Sequence, residues 1–170
     1  MASLNNIERT LIIFKPDALQ RGIVGEILTR FERVGLKIVG MKMVSPTREQ
    51  YHVHYEDIGK VISRRGEETF NRVLDTMLQG PVITAVLEGV EAIEMTRKLV
   101  GATEPKSAAV GTIRGDYCHI SYSRADAECK GIPNLIHASS NASDAEQEIQ
   151  HWFSDSELCD YETVHEKFTR

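Results

Sequence analysis

The stretch Asn134-Leu135-Ile136-His137-Ala138-Ser139 places a histidine where an apolar run gives way to small and hydroxylated residues. A histidine on a rigid element, with a hydroxyl nearby and a carboxylate to orient its ring, can act as a nucleophile. No strong base is required, because an ordinary imidazole is mostly neutral at pH 7. The pattern favours His137 as a side chain that accepts a phosphoryl group and passes it on.

Glu148 is the carboxylate that could orient this ring. It lies in Ala145-Glu146-Gln147-Glu148-Ile149, which predicts a helix that packs through Ile149 and Phe153. From the inner edge of that helix, Glu148 would bind one ring nitrogen of His137 and leave the other facing a pocket. A solvent-exposed Glu148 fits the local sequence equally well, so the pattern alone leaves both alternatives open.

Cationic residues recur at the ends of predicted elements. Lys15 follows the first apolar run, Arg97 precedes Gly101-Ala102-Thr103, and Arg114 follows Gly111-Thr112-Ile113. A lone cation is more often a surface charge, but beside glycines backbone and side chain can approach a phosphate together. Phosphoryl transfer depends mainly on such positioning and charge stabilisation. The P-loop and protein-kinase glycine motifs are absent, so phosphoryl transfer would need another route, and a histidine relay is such a route.

The other histidines carry weaker signals. His52 and His54 would share a strand face, but no carboxylate or thiolate at matching spacing accompanies them, so the sequence predicts no metal site. His119, His151 and His165, like His52, are expected to be surface or satisfied core histidines.

Hydrophobic periodicity predicts alternating strands and helices. Strands are expected at residues 10–14, 36–44, 82–87 and 117–122, and helices at residues 22–34, 90–100 and 143–153. This order predicts an α+β fold, a ferredoxin-like βαββαβ sandwich with an antiparallel four-stranded sheet and helices packed on one face. The segments 56–70 and 120–133 fit this scheme poorly and are expected to be surface loop insertions.

Composition limits the class of protein. The 170 residues predict a single domain spanning residues 1–170, and the net charge of -5 argues against a nucleic-acid partner. Three cysteines without a Cys-x-x-Cys pair indicate neither a disulfide framework nor a thiolate zinc site. The polar start at Ser3, Asn5 and Asn6 lacks the pattern of a signal peptide, and no apolar run is long enough for a membrane. A cytoplasmic location is expected.

A set of motifs in one order connects the chain to a known family. They are Lys15-Pro16-Asp17, His54-Tyr55, Gly80-Pro81-Val82, Gly111-Thr112-Ile113-Arg114-Gly115-Asp116 and Asn134-Leu135-Ile136-His137-Ala138-Ser139. Together they resemble the nucleoside diphosphate kinase family, and the similarity runs from about Arg9 to Phe153. Each motif alone is weak, whereas the whole set in order is highly specific.

The resemblance implies a ping-pong exchange in which a nucleoside triphosphate phosphorylates His137 and a nucleoside diphosphate removes the phosphate. It also implies an ATP-binding kinase of nucleotide metabolism, with Mg²⁺ entering bound to the nucleotide, and a homo-oligomer, either a hexamer or a tetramer. The residues implied to contact the phosphates are Lys15, Tyr55, Arg97, Thr103 and Arg114. Lys15 and Asn134 are implied to contact the ribose, and Ser139 and Glu148 to support the histidine.

The chain also departs from the family pattern. A Pro-Phe-Phe run usually follows the His-Tyr motif, and here Glu68-Thr69-Phe70 makes Phe70 the candidate for stacking on the base. Ala138-Ser139-Ser140 replaces a run ending in aspartate and removes a carboxylate. Two alternatives remain, an inactive binding module and a single-strand nucleic-acid binder on the same fold. The net charge and the 6% of aromatic residues weigh against the second.

Overall fold

The computed structural model describes residues 6–170. Its strands are β1 (Ile7–Phe14), β2 (Lys37–Val44), β3 (Val82–Val90) and β4 (Ile136–Ala138). The α-helices are α1 (Pro16–Gln20), α2 (Val24–Arg33), α3 (Arg48–His52), α4 (Val61–Arg65), α5 (Glu67–Met77), α6 (Ala92–Val100), α7 (Ile113–Tyr117), α8 (Tyr122–Ala127), α9 (Ala142–Trp152) and α10 (Glu166–Thr169). A π-helix covers Val53–Ile58, and 3₁₀ turns cover Pro105–Ser107 and Asp155–Glu157.

The strands form one antiparallel sheet in the order β2-β3-β1-β4. This order confirms the predicted ferredoxin-like α+β fold. The strand predicted at residues 117–122 is wrong, because Tyr117 ends α7 and Tyr122 begins α8. Side-chain caps at Thr112 and Ser121 start these two helices and leave only a short connection between them. The fourth strand is β4, which carries His137.

Helices cover both faces of the sheet, so the prediction that they pack on one face is wrong. Residues 10–14 of β1 are fully buried, as expected for a strand covered on both sides. Ile12 and Phe14 pack into one core with Phe31 of α2, whereas Ile13 packs into a second core with Trp152 of α9. His137 is paired with Ile13 and therefore lies on the second face.

The two predicted insertions lie mostly at the surface, as expected, but they contain helices where loops were predicted. Residues 56–70 include α4 and the start of α5, and residues 120–133 include α8. The α5 helix buries Phe70, Leu74 and Met77 against the sheet, and helical spacing of these apolar residues explains its stability. The first insertion and α5 therefore pack on the face that carries His137.

None of the helices within residues 6–170 combines the length and apolar character that crossing a bilayer demands. The expectation about a signal peptide rests on Ser3, Asn5 and Asn6, of which Ser3 and Asn5 lie outside the described residues.

Candidate active site

A strained turn delivers His137 to the pocket. Leu135 adopts a left-handed conformation with φ of 67°, which is unfavourable for a bulky non-glycine residue. The turn is held by two hydrogen bonds, from Lys15 N to Leu135 O at 2.8 Å and from Leu135 N to Asp17 Oδ2 at 3.0 Å. Leu135 is itself fully buried, and its packing holds the turn in place. The start of α1 thus fixes the backbone just before the histidine.

The predicted contact between His137 and Glu148 is present. His137 Nε2 lies 2.9 Å from Glu148 Oε1, and Ser139 donates its hydroxyl to Glu148 Oε2 at 2.6 Å. Glu148 and Ser139 are buried, and the Leu11 N–H donates to Ser139 Oγ at 3.1 Å. With Nε2 bound to the carboxylate, Nδ1 of His137 is left without a hydrogen-bond partner in the described chain. The ring is 20% exposed, so this nitrogen is accessible from the pocket.

Glu148 is ionised in this environment. Burial alone would raise its pKa, but the charge and hydrogen bond of His137, with contributions from His54 and Ser139, outweigh burial and lower the pKa to about 2. A permanently charged carboxylate keeps the proton of the ring on Nε2 and the lone pair on Nδ1.

His54 lies directly behind the His137 ring. It belongs to the π-helix, so the prediction that His52 and His54 share a strand face is wrong. Trp152 Nε1 donates to His54 Nδ1 at 3.2 Å, and the two histidine rings meet edge to face with centroids 4.6 Å apart. Burial, followed by the charge of His137, lowers the pKa of His54 well below its ordinary value, so this ring is neutral.

His54, His137 and Glu148 together have the composition of a metal site, with ligand atoms within 4.8 Å of one another. The nitrogens nearest the carboxylate already serve the hydrogen bonds with Trp152 and Glu148. These bonds account for the cluster without an ion.

Lys15 and Asn134 form one polar unit beside the histidine. Lys15 Nζ donates to Asn134 Oδ1 at 2.7 Å, and Asn134 Nδ2 donates to the Thr103 carbonyl at 2.8 Å. Burial, followed by the charge of Arg114, lowers the pKa of Lys15 to about 8. An anion that enters the pocket would stabilise the charged form of Lys15, which burial and Arg114 disfavour.

Arg114 is buried and bonded to three backbone carbonyls. Its Nε donates to Asn134 O at 3.2 Å, and its two terminal nitrogens donate to Gly101 O at 3.1 Å and Ile136 O at 2.5 Å. Burial lowers the pKa of Arg114, yet an arginine keeps its charge at any physiological pH. The guanidinium therefore joins Gly101, just after α6, to the segment that carries His137, in addition to lining the pocket.

A pocket of ≈ 370 Å³ brings together most of the predicted residues. Its lining includes Lys15, Tyr55, Arg97, Thr103, Arg114, Asn134, His137 and Glu148. Arg97 is exposed on α6, and the hydroxyl of Tyr55 is buried without a partner in the described chain. Burial raises the pKa of Tyr55, so its phenol remains a donor. Ser139 lies outside the lining, and its hydroxyl donates to Glu148.

The structure does not place Phe70 in this pocket. The side chain is 5% exposed, belongs to the second core and meets the His52 ring edge to face at 5.4 Å. The helical spacing of α5 turns Phe70 inward with Leu74 and Met77, which explains why it is unavailable for stacking.

Sequence reasoning missed the pocket residues that the insertions supply. Arg64 and Arg65 of α4 and Tyr122 of α8 all line the pocket. The adjacent arginines Arg64 and Arg65 are the available signal in the sequence, but only packing between distant segments brings them to the site.

The sequence profile described as "Nucleoside diphosphate kinase" matches residues 8–158. A nucleoside diphosphate kinase of Borreliella burgdorferi is 45% identical over 157 residues, which cover 91% of this chain and 92% of that protein. One from Pyrococcus furiosus is 46% identical over 158 residues, which cover 93% and 90%.

Solved structures agree in fold. A nucleoside-diphosphate kinase from Borrelia burgdorferi, a transition state mimic with bound vanadate and ADP, matches with a TM-score of 0.93 and 42% identity over 96% of this chain and 97% of that one. A halophilic enzyme from Halobacterium salinarum in complex with CDP gives 0.79 and 36% identity over 95% and 98%. On these similarities, this chain belongs to the nucleoside diphosphate kinase family.

Proposed function

We propose that His137 carries a phosphoryl group between nucleotides and so maintains nucleoside triphosphate pools. The free Nδ1 attacks the γ-phosphorus of ATP or another nucleoside triphosphate, the bond to the bridging oxygen breaks, and the diphosphate leaves with the electron pair. A second nucleoside diphosphate then attacks the phosphohistidine and regenerates the ring, which is a ping-pong sequence. The observation that carries this mechanism is the 2.9 Å contact that holds Nε2 on Glu148 and leaves Nδ1 open.

The neighbouring donors fit the charge that develops during transfer. Lys15, Arg97 and Arg114 bring positive charge to the equatorial oxygens, and Tyr55 offers an unused phenol. Thr103 lies beside them on the pocket wall. The related enzyme with bound vanadate and ADP supports the assignment of this pocket to the phosphates.

Lys15 and Asn134, joined at 2.7 Å, are proposed to bind the ribose hydroxyl. In this assignment Lys15 binds both the sugar and the phosphates, and Asn134 orients the Lys15 side chain.

Mg²⁺ is proposed to enter with the nucleotide. The acidic side chains that line the pocket within the described chain are Asp126, Asp144 and Glu148. Both oxygens of Glu148 are already hydrogen-bonded, and Asp126 pairs with Arg72. The ion would therefore take its ligands chiefly from phosphates and water, where it bridges oxygens and neutralises charge.

We further propose a cytoplasmic homo-oligomer, a hexamer or a tetramer, of one domain spanning residues 1–170. All three cysteines are free thiols, which suits a reducing compartment. The edge strand β2 exposes Met41 at 42% and Met43 at 63%, an apolar surface that subunit packing would cover. Light scattering coupled to gel filtration measures the subunit number.

Labelling with [γ-³²P]ATP tests the phosphohistidine. The wild type should acquire an acid-labile, alkali-stable label that any nucleoside diphosphate removes, and His137→Ala should acquire none. His165→Ala, at an exposed histidine outside the pocket, is the matched control and should label normally. Equal labelling of wild type and His137→Ala would contradict the mechanism, and an unlabelled wild type would indicate an inactive module.

A further inference from the structure

The side chain of Arg65 spans the gap between the two insertions. Arg65 ends α4, and its Nη1 donates to the hydroxyl of Tyr122, the first residue of α8, at 3.1 Å. The guanidinium carbon also lies 5.6 Å from the centre of the Tyr122 ring, within the range of a cation–π contact. Both residues line the pocket that contains His137. The guanidinium therefore joins the two insertions where both line the pocket.

The charge of Arg65 is not neutralised by the protein. No carboxylate within residues 6–170 lies at ion-pair distance from its side chain. Arg72 on the neighbouring helix shows the opposite pattern, with Glu68 at 2.5 Å and Asp126 at 3.0 Å. An arginine whose partner is a neutral phenol keeps its charge and several N–H donors for an anionic ligand.

The backbone of Tyr122 is held in place by a hydrogen bond to Glu104. Its backbone N–H donates to Glu104 Oε1 at 2.9 Å, and Glu104 Oε2 accepts a hydrogen bond from Ser107 at 2.5 Å. Burial lowers the pKa of Arg114, and the Tyr122 hydroxyl is the strongest influence in the opposite direction. Tyr122 therefore lies near Arg114, another residue that lines the pocket.

The second insertion, residues 120–133, also packs closely against α5. A Cβ on Gly131 would lie 2.6 Å from Thr76 Oγ1 and 2.8 Å from the Arg72 carbonyl, so the backbone approaches the helix more closely than a side chain allows. Ala125 of α8 is 1% exposed. The second insertion, which carries Tyr122, is therefore packed closely against α5, the helix that directly follows Arg65 and Gly66.

We propose that Tyr122 is a positioning residue that holds the guanidinium of Arg65 over the pocket, where Arg65 binds the phosphate chain of the nucleotide. The inference rests on the proposed function and explains what the two insertions contribute to it. One insertion supplies the cation and the other supplies the group that orients it. Arg65 contributes to binding of the nucleotide in the ground state and leaves the chemistry at His137 to Lys15 and Arg114.

Calorimetric titration of the unphosphorylated wild-type enzyme with ADP tests the proposal without turnover. Arg65→Ala should weaken ADP binding about tenfold, the loss expected for a charge-assisted contact. Adenosine, which lacks phosphate, should bind both forms equally. Tyr122→Phe removes the hydroxyl and keeps the ring, and should weaken ADP binding about threefold, or roughly half the free energy lost in Arg65→Ala. In the double variant the two effects should not add, because both act on the same guanidinium.

Steady-state kinetics complete the test. In Arg65→Ala, the KM for the diphosphate should rise while kcat stays within twofold of wild type. Arg48→Ala, at an exposed arginine on α3 that pairs with Asp75 at 3.4 Å, controls for loss of a surface charge. Unchanged ADP affinity in Arg65→Ala, or additive effects in the double variant, would overturn the proposal. Labelling of His137 in these same variants distinguishes this failure from failure of the proposed function, which would remove the label from the wild type as well.

Discussion

At the scale of single residues, the site depends on Glu148, whose two carboxylate oxygens are both hydrogen-bonded. The motif around His137 led to the expectation that Glu148 holds the ring, and the structure contains that contact. Local sequence could not decide between this and an exposed Glu148, because the answer depends on where α9 lies against β4. The contribution of His54 was equally hidden, since it requires the π-helix and Trp152 to meet behind the ring.

Glu148→Gln tests the carboxylate. The amide keeps the size of the side chain and an acceptor oxygen but loses the charge that holds the proton on Nε2. Phosphorylation of His137 should slow by about 10- to 100-fold, as is usual when a group that orients a reactive side chain is changed. Rapid-quench labelling with [γ-³²P]ATP measures the rate. Glu146→Gln on the exposed side of α9 should leave it unchanged. Wild-type labelling in Glu148→Gln would show that the charge is dispensable.

Lys15 should make nucleotide binding pH-dependent. Its pKa of about 8 in the free protein means that it loses its proton as the pH rises through 8. A bound phosphate favours the charged amine and raises this pKa, so binding above about pH 8 must take up a proton. Affinity for ADP should therefore fall as the pH rises from 8, and should not depend on Lys15 protonation well below 8.

Calorimetry at pH 8.5 in two buffers with different ionisation enthalpies counts the protons taken up. Lys15→Met should abolish the uptake and weaken binding, whereas Lys98→Met, at an exposed lysine of α6, should retain it. Equal proton uptake in wild type and Lys15→Met would assign the titration to another group.

At the scale of elements, periodicity located the long strands and helices well and failed where context decides. The run at residues 117–122 is apolar enough for a strand, but the caps at Thr112 and Ser121 make it a link between two helices. The β4 strand covers only Ile136–Ala138 and follows the left-handed Leu135, so no pattern marks its start. The insertion at residues 56–70 appeared irregular because its apolar residues Val61, Ile62 and Phe70 pack against distant residues of the second core, which local periodicity does not reveal.

Gly131→Ala tests the packing between the insertions. The new methyl group would collide with Thr76 and the Arg72 carbonyl, so the segment that follows α8 must move away from α5. The free energy of unfolding should fall by about 1–3 kcal/mol, and KM for the nucleotide should rise because the pocket wall shifts. Chemical denaturation and steady-state kinetics measure the two effects.

Gly25→Ala is the matched control for that substitution. Gly25 lies in α2 with no neighbouring atom within 4 Å of the new Cβ, so the change should stabilise the protein by about 0.5–1 kcal/mol. A Gly131→Ala variant as stable and active as Gly25→Ala would show that the insertions are not held together at this point.

At the scale of the whole molecule, the C-terminal segment is bound far from the pocket. Lys37 on β2 is 3% exposed at its side chain and lies near Glu88 at 3.2 Å and Glu166 at 3.4 Å, while its Nζ donates to the Tyr161 carbonyl at 2.7 Å. Arg170 closes the network with a 2.5 Å contact to Glu88. Strands β2 and β4 form opposite edges of the sheet, separated by three strand spacings of about 5 Å each. The anchor of the tail and the nucleophile are therefore independent parts of the fold.

Removal of residues 159–170 should separate stability from activity. The truncated protein keeps the region that matches the family and every residue proposed for the site, so its transfer rate at low temperature should stay within about twofold of wild type. Its melting temperature should fall, because Lys37 loses its tail partners while remaining partly buried. Lys37→Met in the full chain should lower the free energy of unfolding by about 3 kcal/mol, since Glu88 and Glu166 then lose their common partner. Phe168→Ser, at a side chain 80% exposed, should change neither property. Differential scanning calorimetry paired with the labelling rate measures both, and loss of transfer well below the melting temperature would mean that the tail reaches the site through the sheet.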